Sequence, residues 1–227
     1  MLGLDQMLAD LGAGGPALML LAAVVLGARH ATDPDHLMAV STLVADGAMG
    51  ARAAGALGFA WGSGHAATLF ALGVPLLLFG SALPSWGQTA VETAVGAAII
   101  LLALRLLLRW ARARTGGRAA VARERQGGRT PVTAFSLGLL HGAGGSAAAG
   151  ALLLGMASGG VAGVIGLAVF AAATAVSMAA CSALVGHVMA PAVSRRQAGG
   201  AVVPLLGAAS VAFGCWYMAA ALAATPH

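Results

Sequence analysis

Residues 14–44 read GGPALMLLAAVVLGARHATDPDHLMAVSTLV. The run is apolar enough to enter a bilayer, but its centre, His30-Ala31-Thr32-Asp33-Pro34-Asp35-His36, holds two imidazoles and two carboxylates within seven residues. A straight span needs about 20 residues, and this stretch is longer. Pro34 has no N–H and cannot continue a helical ladder. In lipid, the backbone groups so freed must be covered by neighbouring helices or face a wet cavity. The reading is a first helix broken near Pro34, with a polar site at the break.

The rest of the chain fits that setting. Of 227 residues, 59% are hydrophobic and only 8% charged, against about 25% charged in soluble domains. Mean hydropathy is +0.90. Such a mix excludes a soluble enzyme, a disordered chain and a nucleic-acid-binding domain, despite a pI near 11.0. The expectation is an all-α integral membrane protein forming a single domain over 1–227. Its apolar stretches run over about 14–44, 53–80, 88–109, 131–157, 160–189 and 201–223, which gives six transmembrane helices. Cys181 and Cys215 are the only cysteines, far apart and with no CxxC pair, so neither a zinc finger nor a redox pair is expected. The first ten residues carry Asp5 and Asp10 and no basic residue, so no cleavable signal peptide is expected.

All twelve basic residues are Arg, and seven of them crowd the segment from Arg109 to Arg129. The positive-inside rule places this Arg-rich loop, about 110–130, in the cytoplasm. Threading six spans outward from it puts Arg52, Arg195 and Arg196 on the same side and both termini outside. The expected location is therefore a bacterial inner (cytoplasmic) membrane, multi-pass, with N- and C-termini out. The basic loop reads as a topology signal touching anionic lipid rather than a nucleic-acid patch.

A faint repeat is present. Leu26-Gly27-Ala28-Arg29-His30 matches Leu137-Gly138-Leu139-Leu140-His141, and Ala66-Ala67-Thr68 matches Ala172-Ala173-Thr174. Halves of three helices each would be inverted, and an inverted 3+3 repeat with broken helices is a transporter pattern.

Ionisable groups at membrane depth are costly and mark ion or proton paths. Imidazole and carboxylate without thiolate suit borderline divalent ions such as Ni, Co, Zn or Fe(II). The set is too nitrogen-rich for Mg or Ca. The metal-ligand candidates are His30, Asp33, Asp35 and His36 in the first span, His65 near the middle of the second and His141 near the middle of the fourth. A bland reading stands beside each: Asp33 and Pro34 can simply start a helical segment, and a lone histidine can be a packing residue. The glycines around His141 allow close helix contact and could equally loosen the helix. Thr174 and Ser177 are expected to bond their own helix carbonyls.

With these residues in view, the chain resembles the nickel/cobalt transporter family. Residues 29–36 read R-H-A-T-D-P-D-H, similar to that family's R-H-A-x-D-A-D-H signature. Gly62-Ser63-Gly64-His65 resembles its L-G-H-S segment. His141-Gly142-Ala143-Gly144-Gly145-Ser146 resembles the H-G-L-A-G-S segment of the short, UreH-like urease-accessory transmembrane branch, and departs from the G-F-D-T-A-T-E segment of the long permeases. The resemblance implies Ni2+ or Co2+ as transported substrate rather than prosthetic group, with His30, Asp35 and His36 as essential residues. It also implies a link to urease or cobalamin maturation. The expected function is a secondary transporter, most simply for uptake, through a midplane His/Asp site. The alternative is an exporter of the same broad superfamily, for a metal or a small anion. No enzymatic activity is expected, and no HExxH motif is present.

Overall fold

The structure, a computed structural model, describes residues 15–47, 49–79, 85–115, 130–144, 160–194 and 199–224. The Arg-rich segment 116–129, the second half of the fourth expected span, the loop with Arg195 and Arg196, and both termini lie outside the described residues.

Among the described residues every regular element is a helix: α1 Pro16–His30, α2 Pro34–Gly47, α3 Ala51–Phe79, α4 Ser85–Arg114, α5 Pro131–Gly142, α6 Gly160–Ser194 and α7 Gly199–Ala223. Three segments, Trp86–Arg114, Gly160–Pro191 and Gly200–Ala223, are long and apolar enough to cross a membrane. Large apolar side chains such as Leu21, Leu101, Leu108, Val176, Leu184, Leu205 and Trp216 point outward, while His30, His36, His65, His141, Thr42, Thr174, Ser182 and Ser210 are buried. That distribution is the one expected of a chain whose outer solvent is lipid.

The first apolar stretch is indeed split. α1 ends at His30 and α2 begins at Pro34. A residue with an N–H at position 34 would donate to the His30 carbonyl. Proline cannot, and that carbonyl instead accepts the Asp33 N–H at 3.1 Å, while Thr32 N–H turns back to Arg29 O at 2.9 Å. The Asp33 carbonyl then accepts from Leu37 N–H at 3.0 Å and starts the new helix. The turn holds the last residue of α1 and the first turn of α2 side by side.

Two boundaries differ from expectation. α4 runs from Ser85 through Arg114, past the end of its apolar stretch, so Arg109 lies inside a helix. It is buried there rather than in a loop, with its Nη1 2.9 Å from Asp46 Oδ2 of α2. The fourth stretch is not one continuous helix: α5 ends at Gly142, and Ala143 and Gly144 bond back to Leu140 O and His141 O in a tight turn. The glycine-rich segment after His141 therefore ends the helix rather than only packing it.

The core is built by close backbone approach. α3 lies between α5 and α6, and α1 lies on α6. A Cβ added at Gly27 of α1 would fall 2.5 Å from Phe170 O of α6, and one at Gly138 of α5 would meet the Trp61 carbonyl and lie 2.9 Å from His65 N of α3. Only glycine permits such contact, the usual means of joining helices in lipid. Thr68 Oγ1 donates to Leu139 O across the α3–α5 contact at 2.9 Å. Thr174 bonds its own helix at Phe170 O, 2.8 Å away, as expected.

Candidate metal site

The turn between α1 and α2 lies against α3, and α5 closes the other side. His30 comes from the last residue of α1, His36 from the first turn of α2, His65 from mid-α3 and His141 from the end of α5. All four rings are buried, at 5%, 3%, 0% and 2% exposure respectively. His36 stands at the centre: its ring centroid is 4.7 Å from that of His30, 5.4 Å from His65 and 5.4 Å from His141. Ligating atoms of His30, His36 and His65 all lie within 4.8 Å of one another.

The carboxylates orient the rings. His30 Nδ1 is 2.8 Å from Asp33 Oδ2, and His36 Nδ1 is 3.1 Å from Asp35 Oδ1. An ionised carboxylate only accepts, so each Nδ1 carries the proton and each Nε2 presents a lone pair. His141 reaches the same tautomer by another route, with Nδ1–H donating to Leu137 O at 3.1 Å. His30 Nε2 faces His65 Nε2 at 3.1 Å. Among the described residues, His36 Nε2, His65 Nδ1 and His141 Nε2 are buried with no hydrogen-bond partner. Buried polar atoms are rarely left that way. Nitrogen lone pairs fixed by carboxylate and carbonyl partners are the arrangement seen around metal-ligating histidines.

All six residues singled out in the sequence are thus brought to one place. His187 is exposed on α6, away from this role. Trp61 carries more than its sequence position announced. It is buried, its ring near-parallel to His36 at 6.0 Å and edge-on to His141 at 5.0 Å, and it spaces the two imidazoles. The only sequence signal for it is its place one helical turn before His65 on the same face. The Asp46–Arg109 pair was missed as well.

A bundle of helices, three of them long and apolar enough to cross a membrane, with an imidazole–carboxylate cluster at its centre defines a class: an all-helical protein of membrane-protein character with buried groups that could hold a metal ion. A specific relative falls in line with it. The chain is 26% identical to "Urease accessory protein UreH" of Bacillus sp. (strain TB-90) over 200 residues, which cover 86% of this chain and 87% of that protein. The resemblance to the UreH-like branch, first read from short motifs, therefore extends over most of the chain. That relative is named as an accessory protein, not as an enzyme. No family model matches the chain, and no solved structure matches it.

Proposed function

We propose that this protein is a secondary transporter that carries Ni2+, Co2+ or both across the cytoplasmic membrane, inward, through the cluster of His30, Asp33, Asp35, His36, His65 and His141. The observation that carries this reading is the meeting of three buried imidazoles from three different helices within 4.8 Å. The relative named for urease accessory work supports nickel as cargo and a urease maturation pathway as its destination. A membrane potential negative inside favours entry of a dication, by about 2.3 kcal/mol per charge per 100 mV.

In the proposed architecture six spans form two inverted halves, with termini outside and the Arg-rich loop inside. Two features support the repeat. α1 and α5 each run into a tight turn directly after a histidine, His30 or His141. Their contacts also exchange: α1 lies on α6 and α5 lies on α3, while α3 and α6 lie on each other. Broken helices meeting at an internal site suit alternating access.

The test is radiometal accumulation in cells carrying wild type or His36→Ala, with membrane insertion checked by fractionation. Wild type should raise cell nickel or cobalt, and the variant should insert but accumulate none. Normal uptake by His36→Ala would remove the site, and lowered metal content in wild-type cells would reverse the direction.

A further inference from the structure

The six donors do not form one uniform shell. Five of them divide into two triads of different chemistry that share a single ring. His30, His36 and His65 are all buried and offer only nitrogen; Asp33, Asp35 and His36 offer two carboxylates beside one imidazole, and the two acids are only partly buried, each side chain 16% exposed. The surface of the break is reached through Thr32 and Pro34, which are exposed, whereas Ala31 and His36 face inward. Oxygen donors therefore lie nearer the outside of the bundle and nitrogen donors nearer its centre. His36 joins them: Nδ1 is held by Asp35, and Nε2 is buried with no partner.

We propose that the cluster is two successive cation stations hinged on His36, an outer, oxygen-rich one at Asp33 and Asp35 and an inner, all-nitrogen one at His30, His36 and His65, so that selection takes place at the second step. This deepens the transport reading and rests on it. Hard, strongly hydrated divalent ions prefer carboxylate and water and keep much of their hydration shell. The outer station suits them and also suits Ni2+ and Co2+. The inner station has no oxygen ligand to offer, and its buried rings leave little room for retained water. Only borderline ions that gain from imidazole recover the cost of dehydration there. Because His36 belongs to both triads, one ion occupies the pair at a time. A hard ion should thus enter the first station, block it and go no further.

The probes are Mn2+, followed by electron paramagnetic resonance, and Ni2+, followed by calorimetry, on the full chain in lipid nanodiscs, with cellular Ni2+ uptake alongside. The variants are Asp33→Asn and His65→Gln. Asparagine keeps an oxygen that can accept from His30 Nδ1, so the ring orientation survives while the charge is lost. Wild type should bind Mn2+ without accumulating it, and Mn2+ should compete with Ni2+ uptake. His65→Gln should keep Mn2+ binding, which itself reports a folded site, and lose Ni2+ affinity by about tenfold or more. Asp33→Asn should do the reverse, losing Mn2+ and raising the KM for Ni2+. If both variants lose both ions in parallel, or if wild type binds Ni2+ and no Mn2+, there is a single site and the proposal falls while transport stands. If the two ions separate as described but wild-type cells accumulate no metal, the two stations hold and the transport reading falls.

Discussion

His30 and His65, from α1 and α3, bring their Nε2 atoms to 3.1 Å of each other. Two such nitrogens can share one proton or one metal ion. With metal–nitrogen bonds of about 2.0–2.1 Å, neighbouring ligands at right-angled to tetrahedral geometry stand about 2.9–3.4 Å apart. The observed spacing lies in that interval, so a bound ion would demand little movement of either helix.

Preorganisation of this kind has a thermal signature. A ligand that binds only the folded state stabilises it by about 2.7 kcal/mol at a hundredfold excess over Kd. Ni2+ or Co2+ should therefore raise the unfolding temperature of the purified protein by more than Mg2+ does at equal ionic strength. In His65→Gln the nickel-induced rise should shrink. A rise of the same size in that variant would place the ion elsewhere.

Acid should weaken binding. Imidazole ligates only when neutral, because a protonated ring nitrogen has no lone pair left for a metal. Protons and metal thus compete for the same lone pairs, and affinity should fall as the pH is lowered across the range in which the protein stays folded. Equilibrium Co2+ titrations across that range would show it. An affinity that does not change would mean that carboxylates, not imidazoles, dominate the site.

Much of this was legible in the sequence because the bilayer makes two signals loud. Apolar length marks the spans, and charge or imidazole within such a length is conspicuous. Pro34 announced its own break. Other features leave no local mark. Asp46 and Arg109 are 63 residues apart, and the apolar run ends before α4 does, so Arg109 looked like the start of a loop. Gly142-Ala143-Gly144 reads equally well as a packing surface or as a stop, and only the turn after His141 decides. Trp61 resembles any aromatic residue on an apolar helix until its two imidazole neighbours are seen.

The paired glycines make a prediction about folding. Gly27 and Gly138 occupy matching places three residues before His30 and His141, each pressed on another helix's backbone. Gly138→Ala would drive a methyl into the Trp61 carbonyl and toward His65 N, prising α5 from α3. Expected results are a lower yield of folded protein in detergent and loss of Ni2+-induced stabilisation, since His65 and His141 separate. Gly15→Ala, where an added Cβ meets nothing within 4 Å, serves as the comparison. It should alter stability less, although its positive φ of 135° makes it only a partial control.

The buried pair at the far end of α2 should matter for a different reason. Asp46 and Arg109 have side chains only 8% and 6% exposed, and they tie the helix that carries Asp35 and His36 to α4. Breaking a buried pair by removing one member strands the other charge and costs about 3–5 kcal/mol, whereas replacing both by apolar residues can be nearly neutral. Asp46→Ala should therefore destabilise strongly, and Asp46→Leu combined with Arg109→Met should recover most of the loss in thermal unfolding. Uptake separates anchoring from function. If the pair only holds the fold, the double variant should transport normally. If it also fixes where α2 stops, the double variant should be stable yet slow, with the KM for Ni2+ little changed because the ligands at the other end of α2 are intact. A double variant destabilised by the sum of the Asp46→Leu and Arg109→Met single losses would show that the two charges are not energetically coupled.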